Sequence, residues 1–268
     1  MTDIVIEPQS PALTYTSYLA LEEILGAQRP QSEEHDETLF IIIHQVYELW
    51  FKELLHELRY LQQRLEASDT AHAVQTVHRV LTIFKVAVAQ IDVLETMTPR
   101  QFTQFRSRLD AASGFQSAQF RELEAVLGRR DHRVVENYPV GSPARQRLTD
   151  AMSRRSLFDS FLCYLAAHGY AVPEKLSQRD VREPLEPSAE LQEVLLKAYR
   201  DDGGCAQAAE RLVDVDEVFQ EWRYRHVKMV ERTIGAKLGT GGSAGVAYLR
   251  DTLFAPMFPD LWAVRSEL

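Results

Sequence analysis

Apolar residues recur along the chain at the spacing of one helix face. In one long segment they fall at steps of three and four residues: Phe40, His44, Tyr47, Phe51, Leu55 and Leu58. A second segment repeats the spacing: Val77, Val80, Phe84, Val88, Ile91 and Leu94. This period is typical of an amphipathic α-helix, whereas a half-buried strand alternates every second residue. The pattern therefore predicts two long helices that each bury one side.

End signals predict two shorter helices after these. Thr98 precedes Pro99, which suits an N-cap residue followed by proline at the first helical position. We expect this third helix to place Phe102, Arg106 and Leu109 on one stripe. A fourth helix is predicted from about Ser117 to Leu127, and Gly128 suits the position just after its end.

The rest of the chain is divided by Pro- and Gly-containing segments. Residues 128–145 are predicted to form a loop, and a second loop contains Pro173, Pro184 and Pro187. The remaining predicted helices cover residues 145–168, 188–200 and 207–234, before a Gly-rich loop at 235–245. No strand pair, internal repeat or low-complexity linker is visible. We therefore expect a single all-α, bundle-like domain over residues 1–268.

Composition and charge exclude several classes of protein. Of the 268 residues, 45% are hydrophobic and 26% charged, the balance of an ordinary globular protein. The net charge of −9 argues against a nucleic-acid or anionic-membrane surface, since both favour dense cationic patches. No run of about 18 apolar residues predicts a membrane span. The N-terminus lacks a signal-peptide pattern, and two distant cysteines, Cys163 and Cys205, favour a reducing compartment. The expected location is cytoplasmic.

Three polar residues on apolar helix stripes are candidates for chemistry. His44 lies within the first stripe, and His226 lies on a stripe with Phe219, Trp222, Met229 and Thr233. Position alone leaves two interpretations for each histidine: a core residue with one hydrogen bond, or a metal ligand or acid/base group in a pocket. Arg106 also has two interpretations: it forms an internal ion pair, or it binds a substrate carboxylate.

Two further motifs are weak signals. Residues 239–245, GTGGSAG, could cradle an anion with backbone N–H groups, but they match no nucleotide-binding pattern. Glu53 and His56 match one Glu-x-x-His unit of the di-iron helical bundles, and no second unit accompanies them.

Several segments together closely resemble the tryptophan 2,3-dioxygenases. The resemblance covers nearly the whole chain, in the family's order, and rests mainly on five segments: HDETLFIIIHQVYELWFKELLHEL (35–58), VLETMTP (93–99), SGFQSAQFRELE (113–124), WRYRHVKMVERTIG (222–235) and GTGGSAGVAYLR (239–250). It implies an all-α homotetramer that binds non-covalent haem b. It also implies insertion of O₂ across the indole C2–C3 bond of tryptophan, giving N-formylkynurenine.

The resemblance also implies roles for individual residues. His226, in the W-R-x-R-H motif, would be the iron ligand, and His44 would lie on the open side near the indole N–H. Phe40 and Phe102 would contact the substrate ring, and Arg106 would hold its carboxylate. Thr240 would hold the ammonium and carboxylate end, and Ser113 would lie near the haem edge. In the family, the segment that matches Tyr15, Tyr18 and Leu19, within residues 1–30, lines the pocket of a neighbouring subunit.

Some positions depart from the family pattern. Phe102 stands where some members have tyrosine, Leu238 replaces a common Arg or Ala, and Ile91 replaces a usual aromatic residue. The smaller Ile91 predicts an enlarged apolar pocket. These changes keep open an alternative: a related haem mono-oxygenase that converts a substituted tryptophan to an oxindole in a biosynthetic pathway. Tryptophan itself is still expected to react in an enlarged pocket, because one methylene changes discrimination by only about 1–3 kcal/mol.

Overall fold

The fold consists of helices joined by short connections. The computed structural model describes residues 12–109, 112, 116–235, 237, 250 and 253–268, and no strand occurs among them. The α-helices are α1 (Tyr15–Tyr18), α2 (Leu21–Leu25), α3 (His35–Glu66), α4 (Thr70–Leu94), α5 (Pro99–Arg106), α6 (Ala118–Leu127), α7 (Pro143–Met152), α8 (Leu157–Ala167), α9 (Glu174–Ser177), α10 (Ala189–Arg200), α11 (Gly204–Ile234) and α12 (Pro259–Ala263). Two 3₁₀-helices, His132–Asn137 and Val264–Glu267, complete the described elements.

Three long helices form the centre of the domain. α4 packs against both α3 and α11, while α6 and α8 cover another side of α3. With 32 residues, α3 is about 48 Å long at 1.5 Å per residue. Its Phe51, Leu54 and Leu58 are buried in the main core. Across the described residues, none of the helices combines the length and apolarity needed to cross a membrane.

Both predicted stripes lie on the buried faces of their helices. On α3, Tyr47, Phe51, Leu55 and Leu58 are buried, and Phe40 packs against the core from a partly exposed position. Thr98 caps α5 as expected: its Oγ1 accepts the N–H of Gln101, whose Oε1 in turn accepts the N–H of Thr98 at 2.8 Å. Ser117 caps α6, and Gly128 follows α6 with a φ of 129°.

The single helix predicted over 145–168 is wrong, because the chain forms two helices there, α7 and α8. The break falls at residues 153–156, where Ser156 begins a capping box with Asp159. Ser156 Oγ accepts the Asp159 N–H at 3.1 Å, and Asp159 Oδ2 accepts the Ser156 N–H at 2.8 Å. This Ser-x-x-Asp signal starts a new helix, although the apolar spacing runs on through it.

The loop predicted over 128–145 contains more structure than expected. A 3₁₀-helix occupies His132–Asn137, and α7 already begins at Pro143. Val134 and Tyr138 pack with Leu148 and Met152 in a small second core cluster. The last long helix, predicted over 207–234, begins three residues earlier at Gly204.

A buried carboxylate attaches the C-terminal segment to α11. Asp216 is 0% exposed. Its Oδ2 accepts hydrogen bonds from the backbone N–H of Met257 at 2.9 Å and of Phe258 at 3.1 Å. The same oxygen accepts the indole N–H of Trp262 at 2.9 Å, and Oδ1 accepts the side-chain amide of Gln220. The chain therefore leaves α11 at Ile234 and returns to the same helix after residue 256.

A second buried carboxylate holds the segment before α3. Glu37, on the first turn of α3, accepts the backbone N–H of Gln31 and of Ser32, both at 2.8 Å, and also the hydroxyl of Ser32. Further along α3, the side-chain amides of Gln45 and Gln28 hydrogen-bond at 2.7 Å. These contacts place residues 28–32, the base of the N-terminal segment, beside the part of α3 that contains His44.

Candidate active site

His44 lies on the inner side of α3 with its ring orientation fixed. Its Nδ1 donates to the backbone carbonyl of Phe40 at 2.7 Å. Because a carbonyl only accepts, the neutral ring has its proton on Nδ1 and a free acceptor at Nε2. Burial lowers the pKa of His44, and the Phe40 carbonyl and Glu48 offset this only in part. The ring is therefore a neutral hydrogen-bond acceptor at neutral pH.

Aromatic rings surround this histidine. The Phe40 ring lies 4.1 Å from the His44 ring, measured between centroids. Phe102 and Phe105, both on α5, each lie 5.6 Å from Phe40. Arg106 ends α5 one turn after Phe102 and is partly buried. The predicted stripe of α5 thus brings an aromatic wall and a guanidinium to the same end of α3.

His226 approaches from α11. Its pKa is lowered to about 4, first by burial and then by the nearby His44 and Arg121. A neutral imidazole is the form that binds a metal. The imidazole of His226 makes no hydrogen bond to another of the described residues. The Trp222 indole, one turn earlier, stacks on it with 5.1 Å between ring centroids and 5° between planes.

An aromatic contact joins α3 and α11 about one helical turn from each histidine: the Tyr47 and Trp222 rings lie 6.3 Å apart, although His44 and His226 are 182 positions apart in the sequence. His44 also contributes to lowering the pKa of His226. The His44 ring makes one hydrogen bond, from Nδ1 to the Phe40 carbonyl. This bond does not use Nε2, which is available to a ligand. For His226, the described residues supply no such bond to the ring, and its role stays a prediction.

A buried charged cluster lies beside His226. Glu124 accepts from Arg121 at 2.6 Å, from Arg223 at 2.8 Å and from Arg129 at 3.2 Å. Burial alone would raise the pKa of Glu124, but the three guanidinium groups hold it below its ordinary value. Sequence reasoning missed this cluster. The available signal was the pair Arg121 and Glu124, three residues apart on a predicted helix.

The residues present fit the haem that the resemblance implies. Trp222 Nε1 is buried and has no hydrogen-bond partner among the described residues, so it is able to donate to an acceptor of a bound group. His226 offers a neutral ligand, and the Phe40 wall suits a flat apolar group.

The other predicted site residues are either outside the described ranges or at the exposed N-terminal helix. Ser113, Thr240 and Leu238 lie outside the described residues. Tyr15 and Tyr18 of α1 are 75% and 71% exposed, and the adjacent Leu19 is also exposed. Ile91 is 1% exposed and packs in the main core. The expectation that Ile91 enlarges the pocket stays a prediction.

Comparison with known proteins agrees with this geometry. The family model for tryptophan 2,3-dioxygenase matches residues 5–154 and 185–268. A protein named tryptophan 2,3-dioxygenase from Anaeromyxobacter sp. (strain K) is 64% identical over 259 residues, which is 97% of each chain. One of the same name from Herpetosiphon aurantiacus is 55% identical over 97% of this chain and 100% of its own. Another, from Caulobacter vibrioides, is 42% identical over 96% and 98%.

The matched ranges include α3, α5, α6 and α11, which supply His44, Arg106, Glu124 and His226. The similarity therefore covers the site as well as the helical scaffold, and this chain belongs to the tryptophan 2,3-dioxygenase family.

Proposed function

We propose that this protein is a haem-dependent dioxygenase that inserts O₂ across the indole C2–C3 bond of L-tryptophan, giving N-formylkynurenine. The observation that supports this most is that His44 of α3 and His226 of α11 each lie against an aromatic ring, near the Tyr47–Trp222 contact that joins the two helices. One histidine suits an iron ligand and the other a substrate contact. Family membership supplies the reaction that uses such a pair.

The cofactor in this proposal is non-covalent haem b. His226 is its protein ligand, and the Glu124 cluster and Trp222 lie beside it. Neither Cys163 nor Cys205 is followed by histidine, so the chain lacks the C-x-x-C-H attachment site for covalent haem. When bound, the haem supplies the binding and activation of O₂, while the protein orients the substrate.

His44 and Phe40 orient the indole. With Nδ1 bonded to the Phe40 carbonyl, Nε2 of His44 accepts the indole N–H of the substrate. Phe40 and Phe102, whose rings lie 5.6 Å apart, pack on the apolar ring of the substrate. Because the pKa of His44 is lowered, it keeps its acceptor lone pair throughout the neutral pH range. Ser113 lies near the haem edge in this proposal.

Arg106 holds the substrate carboxylate, together with Thr240 at the ammonium and carboxylate end. A hydrogen bond to a charged group contributes about 1.5–3 kcal/mol. Replacing Arg106 by leucine should therefore weaken tryptophan binding by roughly tenfold to a hundredfold. The measurement is titration of the haem absorption spectrum with tryptophan. Arg108→Leu is the matched control, because Arg108 is exposed two residues further on. Equal affinity in Arg106→Leu and the parent protein would disprove the clamp.

Oxygen counting tests the reaction. We expect tryptophan to be ring-opened with both atoms of one O₂ molecule in the product. The experiment is incubation of reduced, haem-loaded protein with ¹⁸O₂, followed by mass measurement. A single labelled atom in an unopened oxindole would show that the protein is the mono-oxygenase and not the dioxygenase. No product from haem-loaded protein would reject both enzymes.

Assembly is part of the same proposal. We expect a homotetramer in which Tyr15, Tyr18 and Leu19 line a neighbouring subunit's pocket. Their exposure supports this, since large apolar side chains left in water are typical of an interface. Removing residues 1–22 should lower activity and weaken assembly together, as measured by light scattering and turnover. A Tyr15→Ser, Tyr18→Ser variant of full length provides the control for chain length. A fully active monomer would contradict the shared site.

A further inference from the structure

Trp222 differs from the other core aromatic residues in its relation to His226. Both are on α11, four residues apart, so their side chains lie on one helix face. Their rings are almost parallel, with 5° between planes and 5.1 Å between centroids. This is the geometry of an offset stack. One face of the His226 imidazole is therefore covered by a flat side chain of the same helix.

Three aromatic rings contact the Trp222 indole that covers His226. Trp222 is 8% exposed. Phe120 of α6 lies 4.8 Å from it, and Tyr47 and Phe51 of α3 meet it edge-on at 6.3 Å and 5.9 Å. Tyr47 is in turn fixed by a hydrogen bond from its hydroxyl to the Ala87 carbonyl at 2.9 Å. The plane of Trp222 is thus set by α3 and α6 as well as by α11.

His226 needs such a neighbour. The terminal torsion of histidine is broad, so the ring rotates unless something restrains it. Metal-binding histidines are usually oriented by a hydrogen bond from the second ring nitrogen to a carboxylate or carbonyl. In the described part of the chain His226 has no bond of this kind, whereas His44 has one to Phe40. Stacking is the restraint that the structure does provide.

We propose that Trp222 is a positioning residue that fixes the plane of the His226 imidazole against the iron. The proposal rests on the proposed function, because it requires His226 to be the iron ligand. Its consequence is that the aromatic packing between α3 and α11 determines the orientation of the ligand. Trp222 acts through His226 and touches neither substrate nor O₂.

Two variants of the haem-loaded protein distinguish the stacking of Trp222 on His226 from the general packing of Trp222 in the core. Trp222→Phe keeps a flat ring and removes the indole N–H, whereas Trp222→Leu removes the flat ring. We expect Trp222→Leu to lose haem affinity by about tenfold, in the range for partners that orient a metal ligand. Its iron–histidine stretching band in the ferrous resonance Raman spectrum should shift and broaden. Trp222→Phe should keep a narrow band near that of the parent.

Phe158→Leu is the matched control, since Phe158 is a buried aromatic residue of α8 that stacks on Phe258, away from Trp222 and Phe120. It should destabilise the core and leave the iron–histidine band unchanged. A parental band in Trp222→Leu, or an equal shift in Trp222→Phe and Trp222→Leu, would overturn the proposal. Absence of any iron–histidine band in the parent protein would instead contradict His226 as ligand, and with it the proposed function.

Discussion

Replacing His226 by alanine should give protein that folds but purifies with little haem. The substitution removes the one protein ligand proposed for the iron and leaves the rest of α11 in place. Because the pKa of His226 is about 4, the parent ligand is fully neutral at pH 7 and the loss is not masked by protonation. Haem content is measured from the Soret absorbance relative to total protein. Unchanged content and spectrum would remove His226 from the iron.

Two comparisons make this experiment specific. His44→Ala should retain haem, because His44 is placed on the open side, and should lose turnover instead. Imidazole added to His226→Ala should restore part of the haem content, since the vacated space beside Trp222 has the shape of the lost ring. Equal haem loss in both alanine variants would indicate a general effect on the pocket.

Replacing Asp216 by alanine should destabilise the protein by about 3 kcal/mol or more, because each buried donor left without an acceptor costs about 1–3 kcal/mol. Asp216 accepts from Met257, Phe258, Trp262 and Gln220. The midpoint of thermal unfolding should fall by roughly 6 °C or more.

The control for Asp216 is Asp214→Ala on the same helix. Asp214 is partly exposed and forms an ion pair with Arg211 at 3.0 Å, a contact expected to contribute about 1 kcal/mol or less. Equal midpoints for the two variants would show that the buried carboxylate does not hold the C-terminal segment.

The helices were largely predictable because their signals are local. The stripe from Phe40 to Leu58 and the cap at Thr98 are each set by residues within a few positions. The break before Ser156 was missed because the apolar spacing continues across it, and a capping box then decides the boundary. Local signals thus predict the existence of helices better than their ends.

The site was less predictable because its contacts are distant in sequence. Arg223 and Glu124, 99 residues apart, look like charges on solvent-facing helix sides until the fold brings them together. Spacing alone left His44 and His226 undecided, and only the resemblance assigned them roles. Ile91 departs from the family pattern and is buried in the main core, and burial alone does not decide whether it borders the pocket.

The attachment of the segment before α3 depends on pH through the carboxylate of Glu37. Burial by itself raises the pKa of Glu37, but the hydrogen bonds from Gln31 and Ser32 lower it below its usual 4.5. A group whose pKa is lowered by folding contributes its stabilisation above the unfolded pKa and loses it as the pH falls through the folded value. The segment preceding α3 is therefore held fully at neutral pH, and acid below about pH 4.5 releases it from α3. Acidification thus loosens the base of the segment through which this subunit is proposed to contact its neighbour.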